Sequence, residues 1–117
     1  MEEYRNAIEE MIQFRNEFNF IMNESDIFFK NFGMLDDEVY SDGAIPKKNK
    51  ELMGLAISVV TRCNECILYH LGGCVSSGAN KDEILEAVKI GVIGGGSITY
   101  PNARFAFKMM KELKIIV

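Results

Sequence analysis

No cluster of basic residues runs along this chain, and no apolar stretch is long enough to cross a bilayer unbroken. A net charge of −4 over 117 residues, with a pI near 5.0, removes the electrostatic footprint that tracks phosphates, and with it nucleic acid as an expected partner. The longest apolar run, Leu52 to Val60, is interrupted by Gly54 and Ser58, and a spanning helix needs about 20 predominantly apolar residues. The opening residues Met1-Glu2-Glu3-Tyr4-Arg5 lack the positive-then-apolar pattern of a secretory leader. The expectation is a cytoplasmic protein away from membranes. Three cysteines make a poor structural disulfide framework in such a chain, so a Cys-x-x-Cys pair reads as redox or metal chemistry. Histidine occurs once, at His70; any proton moved near neutral pH by an unperturbed side chain passes through it.

Sustained period-two alternation is also missing, which argues against strands and for an all-α chain of about six helices in one domain, 1–117. Tyr4, Ile8, Met11, Phe14 or Arg15, and Phe18 recur at three and four residues and give an amphipathic first helix from about Glu2 to about Asn19. A second runs from about Ser25, as N-cap, toward Val39, before Ser41-Asp42-Gly43 breaks the chain. Pro46 fits the first turn of a third helix striped by Leu52, Leu55, Ala56 and Val59. A cysteine-bearing helix is expected from about Cys63 to about Ser77, with Gly78 as its left-handed cap. Asn80-Lys81-Asp82-Glu83 opens a strongly apolar helix like a capping box, and Pro101 opens the last. Gly91 and Gly94-Gly95-Gly96 have the wrong order for a phosphate loop and read as close helix packing. With 48% hydrophobic residues in so small a chain, part of the surface is expected to be covered by copies of itself.

What is present is concentrated in Cys63-Asn64-Glu65-Cys66-Ile67-Leu68-Tyr69-His70. Positions i, i+3 and i+4 are neighbours on a helix surface, so thiols and imidazole share a face. A first helical turn supplies the Cα separation a disulfide requires. At that turn the free N–H groups stabilise a thiolate at Cys63, whereas Cys66, one turn before His70, has an imidazole to take its proton. Either sulfur qualifies as the nucleophile on these grounds. Cys74 extends the stripe to Cys-x2-Cys-x3-His-x3-Cys, but four ligands spread over about 16 Å of one straight helix cannot surround one ion. No metal or cofactor is expected, and Cys74 reads as a buried, inert thiol.

Glu51 stands twelve residues before Cys63. In isolation, a carboxylate beside Leu52 and Leu55 reads as a boundary residue with its head in water. An unbroken helix would hold it about 18 Å from Cys63. A reversal at Thr61-Arg62, after the weak helix formers Val59 and Val60, would fold it back toward His70; contact from a neighbouring subunit is the alternative.

Glu51, eleven residues, Cys63-x-x-Cys66, three residues, His70 and then Gly78-Ala79-Asn80-Lys81-Asp82-Glu83-Ile84 together resemble the carboxymuconolactone decarboxylase and alkylhydroperoxidase D superfamily over about Gly43 to Lys111. The resemblance implies an all-helical fold assembled as trimers or hexamers around a buried thiol site. It further implies that Cys66 is oxidised by hydroperoxide, that Cys63 resolves it as a disulfide, and that His70 and Glu51 relay the proton. The electron donor, a protein or a small thiol, is left open. Where the peroxidase branch can carry a histidine before the second cysteine, this chain has Glu65, an acceptor-only anion expected to face solvent. Two other functions stand beside this one: a lyase acting on a small lactone, although such members generally lack the cysteine pair, and a non-catalytic redox-sensing oligomer.

Overall fold

The computed structural model describes the backbone of residues 2–117 and the side chains of residues 7–117. Tyr4, expected on the apolar stripe of the first helix, lies outside the described side chains. All regular structure among the described residues is helical: α1 (Glu2–Ser25), α2 (Ile27–Val39), α3 (Lys47–Val60), α4 (Asn64–Ser76), α5 (Lys81–Gly95), a short 3-10 turn at Ser97–Thr99 and α6 (Tyr100–Glu112). The chain divides after Ser41 into two compact units.

The first unit pairs α1 with α2. The first helix runs six residues past the expected Asn19, because Phe20, Ile21 and Met22 continue it without a breaker and the Ser25 hydroxyl donates back to the Ile21 carbonyl at 2.7 Å. The cap of α2 is therefore Asp26 instead of Ser25; its carboxylate accepts from the Phe28 amide at 2.8 Å. No residue of α2 is buried, although Ile27, Phe28, Phe32, Met34, Leu35 and Val39 are each about 60% exposed or more. That is a large apolar surface for a single chain to leave in water.

The second unit is organised on α3, which packs against both α4 and α5, while α6 lies against α4 and α5. Leu55 and Val59 of α3, Ile67 and Leu71 of α4, Ile84 of α5 and Met109 and Met110 of α6 have almost no exposure and form its core. Asn80 and Glu83 form the expected capping box, each side chain bonding the other's amide at 2.9 Å. Gly91 lets α5 close on α3: a Cβ there would stand 2.6 Å from that of Val59 and 2.9 Å from the Ala56 carbonyl. The outer face of α5 is less buried than its sequence implies, with Ile90 64% and Ile93 87% exposed.

Three residues, Thr61 to Cys63, join α3 to α4. Arg62 takes a left-handed φ of 58°, its amide bonds the Val59 carbonyl, and the Cys63 amide bonds the Ser58 carbonyl, each at 3.0 Å. This is a Schellman closure with arginine where glycine is usual. Cys63 is its last residue and also the N-cap of α4.

Candidate active site

Reversal at Thr61-Arg62 brings α4 back along α3 and places Glu51 against His70 within one chain. The His70 Nδ1 and Glu51 Oε1 are 2.8 Å apart. Glu51 is 3% exposed, so the solvated boundary position read from its neighbours does not hold; burial comes from α4 folding over it. Its second oxygen, Oε2, accepts from the Lys47 ammonium, also at 2.8 Å. Burial pushes the carboxyl upward, but hydrogen bonds from His70 and Lys47, together with their charges, outweigh it and hold Glu51 below the usual carboxylate range. An ionised carboxylate only accepts, so Nδ1 of a neutral His70 carries the proton and Nε2 is left as the acceptor.

Two glycines seat this pair. A Cβ on Gly54 would lie 2.6, 2.7 and 2.9 Å from Cε1, Nδ1 and Nε2 of His70, so the ring lies flat against the α3 backbone. A Cβ on Gly73 would collide with the Glu51 carboxylate. The arrangement is reciprocal: each polar side chain rests on the glycine three residues beyond its partner, Glu51 on Gly73 and His70 on Gly54. The edge of the ring is met by Tyr69, with ring centroids 5.2 Å apart and planes at 84°.

Cys66, one turn before His70 on α4, and Cys63, the cap of that helix, are joined as a disulfide with their Cα atoms 5.2 Å apart. The Cys63 sulfur accepts from the Cys66 amide at 3.2 Å, which places it among the free N–H groups that open the helix. Cys66 and Glu65 are exposed and Cys63 is half-buried. From α6, Asn102, which is buried, donates to the Asn64 Oδ1 at 2.9 Å and ties the segment between the cysteines to a second helix. Cys74 is free and fully buried; burial first, and then the charges of Glu51 and Glu83, push its thiol up to about 12.

All four residues singled out from sequence are thus in the second unit, with Glu51 and His70 in contact and Cys63 bonded to Cys66. Lys47, Gly54, Gly73 and Asn102 were not visible as site residues. The glycines did carry a signal, the shared offset of three from Glu51 and from His70. Asn102 carried none, since its partner lies 38 residues away.

A profile of the carboxymuconolactone decarboxylase family matches residues 28–112. An uncharacterised protein of the cox locus of Paracoccus denitrificans is 32% identical over 82 residues, which are 70% of this chain and 74% of that one. The alkyl hydroperoxide reductase AhpD of Mycobacterium tuberculosis is 26% identical over 87 residues, covering 65% of this chain but only 49% of its own length. Among solved structures, a carboxymuconolactone decarboxylase family protein of Thermotoga maritima superposes with a TM-score of 0.85 at 42% identity, over 90% of each chain.

Proposed function

We propose that this chain, which belongs to the carboxymuconolactone decarboxylase family, is a thiol-dependent oxidoreductase that reduces hydroperoxides or disulfides through Cys63 and Cys66. The observation that carries this reading is a closed Cys63–Cys66 pair at the N-terminus of α4, one turn before an imidazole held by a buried carboxylate. His70 Nε2 takes the Cys66 proton, and Glu51 stabilises the resulting imidazolium. The Cys66 thiolate attacks the terminal peroxide oxygen, the O–O bond breaks, and the departing alkoxide takes the proton back as alcohol. Cys66 is left as a sulfenic acid. The Cys63 thiolate, stabilised by the amide it accepts from, attacks that sulfur and closes the disulfide, and the displaced hydroxide leaves as water with the proton that Cys63 gave up on ionising. An external dithiol then reopens it. Its thiolate attacks the exposed Cys66, Cys63 leaves as the stabilised thiolate, and the second thiol releases the mixed disulfide.

The assembly belongs to the same proposal. The apolar surface of α2 and the outer face of α5 are the faces that copies of the chain would cover in a trimer or hexamer. Counting thiols anaerobically before and after one equivalent of an alkyl hydroperoxide tests the chemistry. The reduced protein should fall from three thiols to one, with one alcohol formed and Cys74 the thiol that remains. Three thiols still present after the peroxide has been added would end the proposal.

A further inference from the structure

Lys47 sits where helix electrostatics disfavour it. It is the first residue of α3, its amide held by the Asp42 Oδ1 at 2.7 Å, so its ammonium lies at the positive end of the helix dipole. The pair with Glu51 also runs lysine-first at i, i+4, the weaker of the two orientations. Neither consideration rewards a lysine at this position. What it does have is a partner that is buried and already shared: Glu51 gives Oε2 to Lys47 and Oε1 to His70, each at 2.8 Å. With a neutral imidazole the three groups sum to zero charge. Protonating His70 makes the cluster net positive. Without Lys47 the imidazolium and carboxylate alone would form a neutral pair, and the ring would hold its proton longer.

We propose that Lys47 is a positioning residue that takes up half of the Glu51 carboxylate and thereby keeps His70 unprotonated and able to accept the thiol proton. Other titratable and polar groups stand on the helices packed around the imidazole. On α4 itself stand Cys66, Tyr69 and the buried Cys74 thiol. On α5, Glu83 is bound to Lys48 and to the Asn80 amide. On α6, Arg104, Lys108 and Lys111 are exposed, the buried oxygens of Glu112 lie at its far end, and uncharged Asn102 reaches the start of α4.

This inference rests on the thiol reading for its purpose, but its test does not need turnover. His70 is the only histidine, so the ring C–H resonances in a proton NMR titration belong to one residue. Lys47→Gln, and Lys47→Met as a second neutral variant, should displace that titration curve upward by about one pH unit. That is the low end for a charge at this range, since the Lys47 side chain is 43% exposed and partly screened. Lys47→Arg, which keeps the charge, should titrate like the parent. Glu51→Gln should move the curve the opposite way. In a peroxide assay the rising limb of the pH–rate profile should follow the NMR curve, lowering rates on that limb about tenfold in Lys47→Gln while the plateau is kept. An unmoved or lowered curve in both neutral variants, or an arginine variant that behaves like glutamine, overturns the role given to Lys47. Loss of all peroxide and disulfide turnover in the parent, with the NMR shift intact, would instead overturn the thiol reading and leave the Lys47 assignment standing.

Discussion

Adding one methyl group at Gly54 tests whether the imidazole is held by its seat. A Cβ there stands 2.6 Å from Cε1 and under 3.0 Å from both ring nitrogens, so no in-plane slide relieves the clash. To reach ordinary contact near 3.4 Å the ring must retreat from α3 by about 0.8 Å. That retreat is perpendicular to the ring plane, whereas the bond from Nδ1 to the Glu51 carboxylate lies in the plane. The 2.8 Å bond would lengthen only to about 2.9 Å but would be tilted out of line, which weakens it and moves Nε2 by about the same 0.8 Å. Strained packing costs about 1–3 kcal/mol, and a base displaced by this distance loses on the order of 10²-fold in rate. Gly54→Ala should therefore be destabilised by about 1–3 kcal/mol in urea unfolding and should consume thiol with peroxide about a hundred times more slowly at pH 7. Gly72, beside which a Cβ meets nothing within 4 Å, supplies the control: Gly72→Ala should match the parent in rate. If Gly54→Ala retains the parent's rate and stability, the ring has slack and the glycine seat does not position it.

Three further outcomes are expected. His70→Ala should slow peroxide-dependent thiol loss by about 10²–10⁴ at pH 7, and Glu51→Gln by less; the His70→Ala deficit should shrink toward pH 9.5, where a thiol ionises without help, and equal rates in all three proteins at pH 7 would assign both residues to structure alone. Cys74 stays neutral in the fold up to about 12 but ionises from about 9 when unfolded. Its contribution is therefore intact below pH 9 and is lost above it by about 1.4 kcal/mol per pH unit; urea curves of the parent and Cys74→Ala at pH 8 and pH 10.5 should converge, and a constant gap would contradict the burial argument. Sedimentation at micromolar concentration should give a mass several times the 13.2 kDa of one chain, and a monomer that loses no stability on dilution would count against covered α2 and α5 faces.

What could be read from the sequence was local in origin. The Asn80 capping box, the left-handed Gly78 and the break at Thr61-Arg62 depend on neighbours within a few residues, and each stands where spacing put it. The end of α1 was missed because Asn19 is a poor helix former but not a stop signal, and Phe20-Ile21-Met22 carry the helix on. Glu51 looked like a surface residue because its burial comes from a helix nineteen residues away in sequence, and only the family resemblance raised it above its neighbours. Lys47 stayed unnoticed for a related reason: an i, i+4 lysine–glutamate pair looks the same from sequence whether its carboxylate is in water or under another helix.

Cys63 belongs to two helices at once, as the last residue of the α3 closure and the cap of α4. Oxidised, its sulfur is tied to Cys66 by a covalent bond and accepts the Cys66 amide as a weak neutral acceptor. Reduced to a thiolate, it loses the tether and becomes a charge-assisted acceptor for that same amide. Reduction of the pair to the Cys63 thiolate therefore exchanges a covalent clamp on the first turn of α4 for a stronger hydrogen bond. The redox state of the pair is thereby also a state of the backbone, and the solvent-exchange protection of the single amide at Cys66 records which electrons the protein holds.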